Sequence, residues 1–137
     1  MCKETVYSLS KNTVWHELSH AIDGRLAWDA TYRDEALFTE EGWSALNPDG
    51  FTYTGEYGSL GTNIQPEWYS YFIDDYSMIN ATEDRARIFE YAVEDSGTLF
   101  RDAPGLIAKL QYYSDCIRDC FDTALWPEIT AWEAPLH

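Results

Sequence analysis

The sequence predicts a mainly α-helical domain, α+β at most. Three observations carry this. Apolar residues recur at helical spacing in several long windows, only short segments alternate as strands do, and glycine and proline concentrate in one stretch, residues 47–66. The chain has 137 residues and a mass of 15.8 kDa, which fits a single domain spanning 1–137, expected to be part of a longer protein. Apolar residues at 45% and aromatics at 16% argue for a packed core and against disorder. No run approaches the roughly 20 apolar residues of a membrane span. No basic start followed by an apolar run marks a signal peptide. A formal net charge of −15 repels phosphate backbones, so nucleic acid is not an expected partner.

Residues 1–10 give a short, weak β signal. Lys11 to Asp23 read as a helix, with Val14, Leu18, Ala21 and Ile22 at helical spacing and Ser10 or Asn12 as N-cap. Residues 34–46 read as a second, amphipathic helix with a weak point at Gly42. The stretch 47–66 is loop-like, holding four of the eight glycines, and Phe51–Tyr57 within it could form a small hairpin. Residues 67–76 are aromatic-rich and of no clear type. A helix is expected from Asn80 to Glu94, ended by Gly97. A longer one is expected from Asp102 to about Thr123, with Leu106, Leu110, Tyr113, Ile117, Cys120 and Phe121 as its apolar stripe. Trp126-Pro127 closes it, and an irregular tail follows.

The chemistry concentrates at residues 16–20, His-Glu-Leu-Ser-His, which use two of only three histidines. On a helix, positions i and i+4 share a face, so two imidazoles can converge on one zinc ion. An ion held this way lowers the pKa of water towards about 7, and Glu17 on the flank can take the proton and pass it to a leaving amine. A third ligand must come from elsewhere. Asp23 and Leu26 stand where a metzincin has glycine and histidine. The remaining histidine, His137, is the last residue. A carboxylate on a packed downstream helix is the natural choice. The helix opening at Asn80 offers Glu83, Asp84 and Glu90. Glu83 and Glu90 share a face, and Ala86 on that side is small enough to let another helix approach. Asn80-x-x-Glu83 is equally a capping box, so ligand and cap both stand for Glu83. Asp23 is either a partner of the site or an ordinary helix C-terminal residue before Gly24. Cys116 and Cys120, one turn apart, read as core thiols.

These residues resemble a known family. His16-Glu-Leu-Ser-His-Ala-Ile-Asp23 is similar to the active-site helix of the gluzincin zinc metallopeptidases, most of all the branch that contains the anthrax lethal factor catalytic domain. That branch has a tyrosine seven residues before its glutamate ligand, then an asparagine, then helical Ala and Phe. Tyr76, Asn80, Glu83, Ala86 and Phe89 fall in that register. Trp43-Ser-Ala-Leu-Asn47-Pro-Asp-Gly-Phe51-Thr-Tyr53 is also similar to bacterial zinc-binding metallopeptidases. The likeness covers about residues 13–92.

The resemblance implies a zincin-like catalytic domain, with an HExxH helix packed on a second, glutamate-bearing helix. It implies one Zn2+ per chain held by His16, His20 and Glu83, with Glu17 as general base. Tyr76, by itself an ordinary core aromatic, becomes the donor to the oxyanion. The expected activity is zinc-dependent hydrolysis of peptide or protein substrates. The alternative is a zinc-binding module of little or no activity, because the ten residues before the helix leave room only for a reduced or missing N-terminal β-sheet. A second departure is Arg87, where the family places an acid one turn after its glutamate ligand. Asp84, Glu90 or Asp23 could stand in for that acid.

Overall fold

The computed structural model describes residues 11–55, 66–94 and 98–137. These form helices α1 (Lys11–Tyr32), α2 (Glu40–Ser44), α3 (Ala81–Glu94) and α4 (Pro104–Cys120). Three 3-10 turns, Pro66–Ser70, Asp75–Met78 and Ala131–Leu136, complete the regular structure. Among the described residues there is no β-strand, and no helix is long and apolar enough to cross a membrane. The expected strand at 1–10 lies outside the described residues, as does the far end of the expected hairpin. Its near end, 51–55, is not a strand; Thr54 and Gly55 donate their N–H groups to the carbonyls of Met78 and Ile79.

Helix α1 runs nine residues past its expected end at Asp23. Gly24 does not stop it. A Cβ there would meet nothing within 4 Å, and Asp23, Leu26 and Asp29 go on burying one face beyond it. That face is also not the expected one. Val14 and Leu18 are 54% and 42% exposed, and Ala21 is exposed as well. What α1 turns inward is Ser19, Asp23, Leu26 and Asp29, a stripe at i+4 and i+3 spacing that is mostly polar. An apolar pattern does not report a polar buried face. Asn12 lies inside the helix, and Ser10 falls outside the described residues.

The helix expected over 34–46 contracts to the five residues of α2. Thr39 caps it, its Oγ1 accepting from the Gly42 N–H at 2.9 Å. Gly42 lets the Tyr112 hydroxyl approach. A Cβ there would lie 2.4 Å from that oxygen, which accepts from the Thr39 N–H and donates to the Thr39 carbonyl. Trp43 is fully buried beneath.

Helix α3 is the hub, packing on α1, α4 and two of the 3-10 turns. Asn80 starts it by accepting the Glu83 N–H at 2.8 Å. Helix α4 begins at Pro104 rather than Asp102 and ends at Cys120 rather than Thr123, and its stripe Leu106, Leu110, Tyr113, Ile117 forms the core with Trp43, Ile88 and Phe89. Cys120 and Phe121 are only half buried. The expected irregular tail is instead an ordered turn. Thr130 and Glu133 form a capping box, and Glu133 takes Arg118 at 2.6 Å and Ser114 at 2.7 Å.

Two outcomes follow from these elements. Gly24→Ala should stabilise the chain by about 0.5–1 kcal/mol in urea unfolding, the usual gain where alanine replaces an interior helical glycine. A loss would mean that α1 is broken at that point. For Glu133, burial alone would raise the carboxyl, but Arg118, Thr130 and Ser114 outweigh it and hold it at about 2 rather than 4.5. A depressed acid stabilises above its unfolded value. The stability lost in Glu133→Gln should therefore be largest above pH 4.5 and shrink as pH falls towards 2. Thermal melts of both proteins across that range would test it, and a pH-independent gap would remove the charge from the account.

Candidate metal centre

His16 and His20 stand one turn apart on α1, their rings edge to face with centroids 4.8 Å apart. Each of His16, Glu17 and His20 brings a ligand-type atom within 4.8 Å of the other two, a group that could hold a metal ion. Glu17 is exposed, while the two imidazoles are part-buried.

The fourth residue arrives from α3. Glu83 is 7% exposed, with Oε2 at 2.9 Å from His16 Nε2 and Oε1 at 3.3 Å from His20 Nε2. Asn80 accepts the Glu83 N–H, and the Glu83 carboxylate lies against both imidazoles. Donor atoms about 2.0–2.1 Å from a tetrahedral ion stand roughly 3.3 Å from one another. Glu83 thus sets one carboxylate oxygen against each imidazole, at 2.9 and 3.3 Å.

The other nitrogen of His16 is engaged too. Nδ1 lies 3.1 Å from Oε1 of Glu90, which is 1% exposed. With Nδ1–H donating to that carboxylate, Nε2 is the nitrogen turned to Glu83. A carboxylate behind a ligating imidazole fixes its tautomer and orientation in just this way. Of the three acids that could replace the one missing at Arg87, Glu90 is the one beside His16. Asp84 is fully buried elsewhere, accepting Lys109 at 2.8 Å and the Tyr53 hydroxyl at 2.7 Å. Burial pushes Asp84 up and Lys109 down, each against the pull of the other. Asp23 is bound by Arg85 Nε at 2.9 Å and by the Tyr113 hydroxyl at 3.2 Å, and burial raises it to about 6 against the pull of Arg85. It is therefore neither a helix terminus nor a partner placed against the imidazoles.

Tyr76 lies on the Asp75–Met78 turn, its ring 6.1 Å from that of His16. His137 is exposed at the end of the chain. Cys116 is buried and its thiol is pushed up to about 12 by that burial, and Cys120 is half buried, as core thiols would be. An apolar groove of about 440 Å³ lies between Trp15, Leu18 and Ile22 of α1 and Ile117, Phe121 and Trp126. Leu18 and Ile22 project away from the histidine face of α1, so the groove is not part of this site.

Sequence reasoning did not find the part played by Arg87, which it counted only as a lost acid. Arg87 donates to Glu90 Oε1 at 2.6 Å and covers the Tyr76 ring at 4.5 Å. The i, i+3 spacing of Arg87 and Glu90 on one helix was the available signal. No family model, curated protein or solved structure matches the chain.

Proposed function

We propose that this chain is a gluzincin-like zinc metallopeptidase domain that hydrolyses peptide bonds in peptides or proteins. One observation carries the reading. A buried carboxylate, Glu83, comes from 67 residues away to meet the Nε2 atoms of both HExxH histidines. Zinc suits this nitrogen and oxygen donor set and leaves a position open for substrate or water.

Bound zinc would supply Lewis acidity, making water a better nucleophile and polarising a carbonyl. The chain's own residues would do the rest. Glu17 is exposed on the flank of the histidine face, where it can take a proton from water and return it to the leaving amine. Tyr76 is placed beside the His16 ring, where its hydroxyl can donate to oxygen as negative charge develops. Glu90 holds His16 from behind. The presence of Glu17 favours an enzyme over a zinc-binding module, since a structural site has no use for an exposed base.

Metal analysis after purification without chelator should give one zinc per chain. His16→Ala or His20→Ala should remove most of the affinity, as should Glu83→Ala. Full affinity in Glu83→Ala would overturn the ligand set.

Hydrolysis can be followed by mass spectrometry on a mixture of unstructured peptides. Glu17→Gln should keep the zinc and lose at least about 10²-fold in rate. Tyr76→Phe should lower kcat with little change in KM, because an oxyanion contact strengthens only in the transition state. A parent that binds zinc but cleaves nothing would favour the binding module.

A further inference from the structure

The site described above explains His16, His20, Glu83 and Glu17, but leaves an arginine in its wall without a role. Arg87 is 27% exposed along its side chain and makes three contacts, each leading to a different part of the site. Its Nη1 donates to Glu90 Oε1 at 2.6 Å, the same oxygen that lies 3.1 Å from His16 Nδ1. Its guanidinium carbon stands 4.5 Å from the centre of the Tyr76 ring. Its Nε forms an ion pair with Asp74 Oδ2 at 3.3 Å. Asp74 is the N-cap of the turn that carries Tyr76, accepting the Ser77 N–H at 3.0 Å.

We infer that Arg87 is a positioning residue that ties the ligand His16, through Glu90, to Tyr76 and its turn. This rests on the zinc-site reading above and goes beyond it. The residue that departs from the family pattern then does two things at once. Its charge holds the Glu90 carboxylate in place behind His16. Its guanidinium stands over the Tyr76 ring and supports it with a broad, delocalised cation where an ammonium would offer only a point charge. A single acid at position 87 could face the imidazole but could not support the tyrosine.

The two effects can be separated on the full chain with zinc as the probe. Zinc affinity is measured by competition with a chromophoric chelator. The Tyr76 ring is followed by NMR of tyrosine-labelled, zinc-loaded protein, its signal identified by its loss in Tyr76→Phe. Partners behind ligand histidines are worth about 10–100-fold in affinity. Glu90→Ala should weaken zinc binding on that scale, and Arg87→Ala should weaken it about 10-fold. Combining the two should be no worse than Glu90→Ala alone, because Arg87 acts on zinc through Glu90. Arg87→Ala should also displace the Tyr76 signal. Arg87→Lys should restore the zinc affinity but leave Tyr76 displaced. Unchanged affinity in Arg87→Ala overturns the inference, and so does an Arg87→Ala effect that persists undiminished in the Glu90→Ala background. Should Arg87→Ala fail to fold, Arg87→Lys decides: a displaced Tyr76 signal supports the inference and an unmoved one overturns it. A parent chain that takes up no zinc is a different result, which removes the site itself.

Discussion

Three consecutive charged residues, Glu83, Asp84 and Arg85, are buried in the first turn and a half of α3, and the rest of the structure is arranged to receive them. Together they reach three neighbouring helices. Glu83 meets the imidazoles of α1, Asp84 meets Lys109 of α4, and Arg85 bridges Asp23 of α1 and Glu40 of α2. Moving such charges out of water costs several kcal/mol each, and only well-placed partners offset it. A hydrophobic interface tolerates some sliding. This one does not, because a shift of one residue along α3 would leave each charge facing the wrong element. The apolar layer of Trp43, Phe89, Leu110 and Tyr113 packs around this arrangement.

The same constraint delivers the candidate site. On α1, His16, His20 and Asp23 share one face. Arg85 grips Asp23 at 2.9 Å through Nε, with Oδ1 and Oδ2 equally close, and is itself 1% exposed. That grip sets the position of α1 against α3, and with it the meeting of Glu83 and the two Nε2 atoms. Ala86, fully buried between Glu83 and Arg85 on the helix surface, is small enough for close approach. Geometry at the imidazoles thus rests on an ion pair one turn further along the same helix, which touches no part of the chemistry.

Local spacing was enough to read some of this. His16, Glu17 and His20 were legible because i and i+4 on a helix decide their own proximity. The stripe Leu106, Leu110, Tyr113, Ile117 was legible because the buried side of α4 is apolar. The inward face of α1 was not, because Ser19 and Asp23 are buried through hydrogen bonds to Tyr113 and Arg85, far along the chain. Glu83 stood between cap and ligand on local sequence, since both uses need the same helix position, and the α1 imidazoles lie 67 and more than 60 residues away. Thr130-x-x-Glu133 was different. That capping box was present in the sequence, and the tail read as irregular only because the segment is short and carries Pro135.

The placement of Glu83 has a mechanical consequence. An ion held jointly by His16, His20 and Glu83 would be a removable clasp, joining two helices that are remote in the chain and closing a loop of more than sixty residues between them. Closing so long a loop takes conformational freedom from the unfolded chain, as a covalent bridge does, and the energy of binding becomes energy of folding. Withdrawing the ion would then slacken the seam between α1 and α3 as well as silence the chemistry. The Asp23–Arg85 ion pair and the Trp15–Glu94 hydrogen bond would remain to hold that seam.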